Sequence, residues 1–319
     1  MTFALIGSES LLGREIRDVA AKSAPRLDLR LIDGNEPAVA AGLDAKSFSG
    51  ARAVFLAGSA ESSRQALKLA ARKPGAAIID LTCAAEKRPG ARLRAPLVES
   101  EAGESGAAVH VIAHPAAIAL ALFLRRLQAH DPIRRSIIQI FAPASEHGKP
   151  GVEELQQQTV SLLSFKKLPH AVFDTQLSFN LLAKYGDEAP AALEESELRI
   201  ERHLATLLAL PGEGQGAPLP SLRLIQAPVF HGYSFSAWVE FEGNPGVEAL
   251  ERGLATDSIE VRGGEFEPPT NVGHAGQSGI AVGAIAPDRN QPKACWFWVV
   301  ADNFRLAAEN AVAVARQLP

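Results

Sequence analysis

The stretch TFALIGSESLLG (residues 2–13) joins a short β-rich apolar run to a glycine-bounded turn and then to an amphipathic helix. Glycine suits such a junction because the backbone must turn sharply there. The helix N-terminus then offers unpaired N–H groups to a phosphate. Gly7 and Gly13 occupy the first and last positions of a dinucleotide-binding turn, with Ser10, Leu11 and Leu12 between them. Ser10 stands in for the middle glycine and narrows the room for a phosphate. The same turn also serves plain strand–helix packing, so a second feature is needed. Asp33 supplies it, 20 residues past Gly13 at the end of the second strand. An acidic side chain there binds both ribose hydroxyls of NAD and repels the 2′-phosphate of NADP, although an aspartate before Gly34 is also an ordinary turn residue.

Working outward, apolar runs at 2–6, 28–32, 53–57, 76–81 and 108–113 are continuous and β-rich, as strands buried on both faces are. Helical periodicity lies between some of them, at about 11–23 and 61–73. Alternating strands and helices predict a doubly wound parallel sheet. The second part changes character. A strand at 136–142 leads to a loop, APASEHGKPG, and a helix from Val152 to about Leu163. A long helix at about 190–209 opens near Pro190 and stops before Pro211-Gly212. Strands follow at 222–229, 234–242, 258–261, 278–286 and 294–300, with loops at 211–220 and 263–280 and a last helix at about 303–317. Few helices between many strands predict a mixed or antiparallel sheet. The expected fold is therefore α/β: a Rossmann-like NAD(P)-binding domain over 1–120, an α+β domain over 121–301, and a C-terminal helix (302–319) packing back on the first domain.

The 319 residues, 47% hydrophobic and 21% charged, are globular in composition. A net charge of −4 without a basic stripe argues against nucleic acid as a partner. Two distant cysteines, Cys83 and Cys295, argue against a disulfide framework and for a reducing cytoplasm. Met1-Thr2-Phe3-Ala4 runs straight into a strand, so no secretion leader is expected. The apolar stretch 106–124 is broken by His110, His114 and Pro115, which reads as a strand–turn–helix and not a membrane span.

Several segments together resemble the aspartate-semialdehyde dehydrogenases over nearly the whole chain. They are GSESLLG, VFLAGSAESS (54–63), IIDLTCAAE (78–86), AHPAAIALAL (113–122), IFAPASEHGKPGVEEL (140–155), FNLLAKYGD (179–187), IQAPVFHGYSFSAWVEF (225–241) and VVADNFRLAAENAV (299–312). The resemblance implies a dinucleotide site built from Gly7, Ser10, Leu11, Leu12, Gly13, Asp33, Gly58 and Asn303. It implies NAD or NADP, with Asp33 favouring NAD, in a site that is either occupied or left empty. It further implies a homodimer formed through a dehydrogenase-type dimerisation domain. Members use a cysteine thiolate, a histidine base, a carboxylate-binding arginine and an orienting glutamine.

In this chain those positions read otherwise. The cysteine of N-P-N-C-[ST]-T falls on Ala117, and the glutamine of T-Y-Q-x-[AV]-S-G-x-G falls on Ala142. The arginine and histidine of R-V-P-V-x-x-G-H-S fall on Gln226 and Tyr233. A methyl group forms no thiohemiacetal, glutamine makes no charged bidentate contact, and an ordinary tyrosine is a poor base near neutrality. The phosphate-binding arginine is replaced near Glu86, with Lys87 and Arg88 adjacent as substitutes. Loss of a whole constellation on a readable scaffold resembles a degenerate paralogue without its catalytic residues.

The weak substitutes are Cys83, as a displaced nucleophile or a small buried hydrophobe, and His231, two residues from the lost base. His110 and His114 straddle a strand end, so no metal site is expected, and His147 reads as an exposed polar residue. Asp302-Asn303 serves either a nicotinamide or an ordinary helix N-cap. Three roles remain open. The first is a non-catalytic nucleotide-binding or protein-interaction protein. The second is an active NAD(P)-dependent aldehyde oxidoreductase using Tyr233 or His231 as acid. The third is a regulatory partner of an active paralogue, with the β-rich stretch of the second domain and the 190–209 helix as interface material.

Overall fold

The computed structural model describes residues 2–32, 49–72, 75–100 and 107–318. The chain divides into two compact units, Met1–Ala113 with Ala307–Pro319, and His114–Leu306.

The first unit is built on a six-stranded sheet. Its strands are β1 (Thr2–Ile6), β2 (Asp28–Ile32), β3 (Ala51–Leu56), β4 (Ala77–Asp80), β5 (Ala91–Arg94) and β6 (Val109–Ile112), in the order β2-β1-β3-β4-β6-β5. Every pairing is parallel. The helices α1 (Leu11–Lys22) and α2 (Ala60–Arg72) cross between strands, as a parallel sheet requires. Ala4, Ile6, Val54, Leu56, Ile78 and Val111 pack one face with Ala66 and Leu67 of α2. Strand β5 had no apolar signature, because ARLR is an edge strand whose Arg94 is an inward-facing cation. The Arg94 guanidinium is buried against Glu99 at 2.8 Å and also reaches Gln317, while the Leu97 amide donates to Asn310 at 3.1 Å. The end of the last helix is thereby fixed within this unit.

The second unit carries a mixed sheet in the order β10-β11-β12-β9-β7-β8. Its strands are β7 (Ile133–Ala142), β8 (Ser221–Gln226), β9 (Tyr233–Phe241), β10 (Ile259–Arg262), β11 (Ile280–Pro287) and β12 (Ala294–Ala301). The pairs β7–β8 and β10–β11 are parallel and the rest antiparallel. The helices are α3 (Pro115–His130), α4 (Gly148–Leu163), α5 (Leu193–Leu208), α6 (Val247–Leu254), α7 (Asn271–His274) and α8 (Asn303–Gln317), the last running on into the first unit.

Over its described residues, 107–124, the apolar stretch is the strand–turn–helix its histidines and proline predict. Among the described residues no helix is long and apolar enough to cross a membrane. Three local readings need correction. Helix α4 begins at Gly148 and not Val152, because Pro150 in its first turn needs no N–H partner. Helix α6 was not expected, although Leu250 and Leu254 form a buried i, i+4 pair. The stretch 263–280 is not all loop: Thr270 caps the short helix α7 through the Gly273 amide.

Candidate functional site

The glycine turn lies at the carboxyl ends of β1 and β3, where the strand order reverses. That is the topological switch point at which doubly wound sheets bind ligands. Gly7 has φ +80°, and a Cβ there would fall 2.3 Å from Gly58 Cα. A Cβ on Gly13 would fall 2.0 Å from the Gly7 carbonyl oxygen. Both glycines are thus required for the turn and the strand to approach each other. Ser10 caps α1: its hydroxyl accepts from the Gly13 amide at 2.8 Å and donates to the Ala57 carbonyl at 2.7 Å. The serine that replaces the middle glycine therefore fastens the turn to β3. Leu11 and Leu12 form the first turn of α1. Asp33 lies outside the described residues.

Cys83 sits in the loop after β4, half-buried at φ +57° and packed against the apolar cluster of the first unit. The residue that shapes this loop carries no sequence motif. Asp80 accepts from the Thr82 amide and hydroxyl at 2.8 and 2.7 Å and from the Ala85 amide at 2.6 Å. Burial raises its carboxyl above the usual range against those hydrogen bonds.

In the second unit, His114 is the N-cap of α3, with Pro115 at the first helical position and its Nδ1 accepting from the Ala116 amide at 3.3 Å. The remaining ring proton is then on Nε2, which donates to Glu146 Oε1 at 2.8 Å. Tyr233, at the start of β9, donates its hydroxyl to the other carboxylate oxygen at 2.6 Å. The His114 ring lies edge-on to Tyr233, 6.0 Å between centroids. Burial pushes the Glu146 carboxyl up, but His114, both hydrogen bonds and His147 outweigh it and hold the pKa at about 2. Tyr233 moves the other way, well above the ordinary phenol, through burial first and then the Glu146 charge. A phenol so held is no base.

A second chain of polar contacts runs beside the first. His147 Nε2 donates to the Tyr185 hydroxyl at 2.8 Å, and Tyr185 donates to Gln226 Oε1 at 2.7 Å. Gln226 Nε2 donates to the Ala142 and Ala227 carbonyls at 2.9 and 3.2 Å. His147 is therefore not the exposed residue its loop predicted. It packs edge-on against Phe173 and Tyr185, and burial lowers its pKa. Ala117, Ala142, Gln226 and Tyr233 are all buried.

His231 lies on the irregular segment between β8 and β9. Its Nε2 is 2.9 Å from Asp302 Oδ2 and its Nδ1 is 3.1 Å from Ser145 Oγ. Asp302 also caps α8, accepting from the Phe304 and Arg305 amides at 3.0 and 2.9 Å, and takes the Gly276 amide at 2.7 Å. Burial pushes the Asp302 carboxyl up, but His231 and the amides bring it below the usual range. Asn303 is buried and occupied: its Oδ1 accepts from the Gly232 amide at 3.2 Å and its Nδ2 donates to Ser145 Oγ at 3.2 Å.

Residues 124–306, most of the second unit, match the family model described as semialdehyde dehydrogenase, dimerisation domain. The chain belongs to the aspartate-semialdehyde dehydrogenase family. It is 36% identical over 282 residues to a USG-1 protein homolog of Pseudomonas aeruginosa, covering 86% of this chain and 81% of that protein. The solved structure of a probable aspartate-semialdehyde dehydrogenase from Pseudomonas aeruginosa superposes with a TM-score of 0.77 at 29% identity, covering 99% and 97% of the two chains. An aspartate-semialdehyde dehydrogenase with NADP from Candida albicans shares the fold alone, with a TM-score of 0.67 at 14% identity over 99% and 97% of the chains.

The architecture of this family, an NAD(P)-binding Rossmann domain and a dimerisation domain, is the one observed. Glu146 was missed in the sequence because its two partners lie 32 and 87 residues away. The available signal was a charged residue at a glycine position of the family pattern S-G-x-G.

Proposed function

We propose that this chain is a family member that has given up thiol-dependent aldehyde oxidation and serves as a nucleotide-binding or protein-association homologue. One observation carries the reading. At the position the family resemblance assigns to the nucleophile stands Ala117, a buried methyl inside α3. The neighbouring polar groups support it, because Glu146 consumes the hydrogen bonds of both His114 and Tyr233. Gln226 is likewise turned onto backbone carbonyls and Tyr185, leaving no cation to receive a substrate carboxylate at that position.

The glycine turn suits a dinucleotide by its place, at the N-terminus of α1 and at the switch point of a doubly wound parallel sheet. Gly7, Ser10, Leu11, Leu12, Gly13 and Gly58 would hold the pyrophosphate on the α1 N-terminus. Asp33 favours NAD over NADP, while Asn303 has its side chain engaged within the second unit. A bound nicotinamide would supply hydride chemistry; the residues described here would bind and orient it.

Homodimer formation is supported by the open face of the second sheet. Ile137 pairs with Trp238 and Trp238 with Trp296, forming a row across three strands. Ile137 and Trp296 are 46% and 39% exposed, and Arg135 lies over Trp238 at 5.6 Å. An apolar patch of that kind is interface material.

One observation favours the alternative of an active oxidoreductase without a thiolate: His231 is oriented by Asp302, as a proton donor to a carbonyl would be. The assay is NADPH or NADH formation by the purified protein from aspartate semialdehyde and phosphate, with calorimetric titration of both cofactors. Cofactor binding or none, without turnover, is the expected result. Turnover that persists through repeated purification overturns the proposal.

A further inference from the structure

We propose that Ser145, His231 and Asp302 form a second, cofactor-independent reactive centre, a serine nucleophile for small uncharged esters and thioesters. It does not depend on the loss of the dehydrogenase chemistry. The Ser145 hydroxyl has two acceptors in reach, His231 Nδ1 at 3.1 Å and Asn303 Oδ1 at 3.4 Å, and the centre uses the shorter. Asn303 Oδ1 takes the Gly232 amide, so its Nδ2 faces Ser145 Oγ as a donor at 3.2 Å. The Ser145 proton then points at His231 Nδ1, 3.1 Å away, and His231 Nε2–H donates to Asp302 at 2.9 Å. Nucleophile to base and base to orienting carboxylate are the two contacts by which such a centre is recognised on any fold. Asp302 is itself fixed by the Gly276, Phe304 and Arg305 amides, so the ring has a fixed tautomer and orientation.

The local fold provides a second, independent observation. Ser145 sits in the turn between β7 (Ile133–Ala142) and α4 (Gly148–Leu163). A tight strand–turn–helix is how a nucleophilic serine is presented elsewhere. Gly151 lets the turn close, since a Cβ there would meet the Ala144 carbonyl oxygen at 2.2 Å. The positive end of the 16-residue α4 (Gly148–Leu163) follows the turn. The Phe304 ring lies 5.1 Å from His231 and Phe230 is exposed in the adjoining segment, which suits an uncharged acyl group.

Ser145 is only 1% exposed, while the His231 side chain keeps 31% of its surface. Substrate must reach Oγ from the His231 side, which breaks the contacts of the Ala144 and Ser145 amides with the Val229 and Phe230 carbonyls at 2.7 and 3.0 Å. Oγ then bonds to the ester carbonyl carbon as its proton passes to Nδ1. The tetrahedral adduct collapses, the carbon–oxygen or carbon–sulfur bond breaks, and the leaving group takes that proton. Water repeats the sequence on the acyl-serine, releasing the carboxylic acid and restoring Ser145. No oxidant or cofactor is consumed.

The experiment is p-nitrophenyl acetate hydrolysis by the full chain without nucleotide, together with labelling by a fluorophosphonate and peptide mass spectrometry. The label is expected on Ser145. Ser145→Ala and His231→Gln, each checked for an unchanged melting temperature, should lower the rate at least ~100-fold. Asp302→Asn keeps a capping acceptor for α8 and should shift the pH profile as well as the rate, which a purely structural role would not. Absence of label on Ser145 with a rate unchanged in Ser145→Ala overturns the proposal. Label or activity that follows Cys83 overturns it equally.

Discussion

Tyr233→Phe removes one oxygen from a filled site and isolates what that oxygen does. In the wild type the hydroxyl donates to Glu146 at 2.6 Å, and the carboxyl is held at a pKa of about 2 against an ordinary 4.5. Preference for the ionised form by that margin corresponds to about 3 kcal/mol of stability at neutral pH. His114, Tyr233 and His147 share it. A hydrogen bond to a charged group contributes ~1.5–3 kcal/mol. A fifth of the Glu146 side chain (20%) still reaches solvent, so the lower half of that range applies.

Tyr233→Phe should therefore cost about 1.5–2 kcal/mol at pH 7, with little change in packing. The folded carboxyl has a depressed pKa, so its contribution is complete above about 4.5 and lost as pH falls toward about 2. In the variant the folded-state pKa rises, Glu146 takes up its proton earlier, and the gap to wild type narrows on acidification. Urea unfolding followed by tryptophan fluorescence reads this directly, because Trp238, Trp296 and Trp298 all lie in the second sheet. A gap under ~0.5 kcal/mol at pH 7, or one that widens toward pH 3, would refute the reasoning.

Two further substitutions test the same structure. Gly7→Ala forces a side chain into φ +80° and onto Gly58; left-handed backbone and overpacking together should cost about 2–5 kcal/mol, read by circular dichroism in urea, and should abolish any dinucleotide binding. Gln226→Leu strips the Tyr185 hydroxyl of its acceptor and the Ala142 carbonyl of a donor. The Ala142 carbonyl keeps the Ala227 amide at 2.9 Å, so the one orphaned donor on Tyr185 should cost about 1–3 kcal/mol in the tryptophan-detected transition, and a change under ~0.5 kcal/mol would show that water replaces the amide.

Much of the fold was legible because its signals are local. The strands at 2–6 and 28–32 and the last helix at 303–317 are found where apolar runs and helical periodicity put them. Strand β5 was not, since ARLR has no apolar run and the partners of its buried Arg94 are Glu99 and Gln317, the latter 223 residues away. The site was legible only as absence. Ala117, Ala142, Gln226 and Tyr233 could be located by comparison with a motif, but no motif says what fills the space they leave.

The sequence by itself determined the alternation of strand and helix, the glycine turn and the family, because turn chemistry and periodicity act over a few residues. Tertiary structure decided which polar groups meet. The antiparallel register of β7 and β9 places Phe141 opposite Ser234, so the turn after β7 and the segment before β9 lie together. That single register brings Glu146 to Tyr233 and Ser145 to His231, contacts that span 87 and 86 residues. Hydrogen bonds need partners within about 3 Å, and only the assembled sheet sets distances on that scale between residues so far apart in the chain.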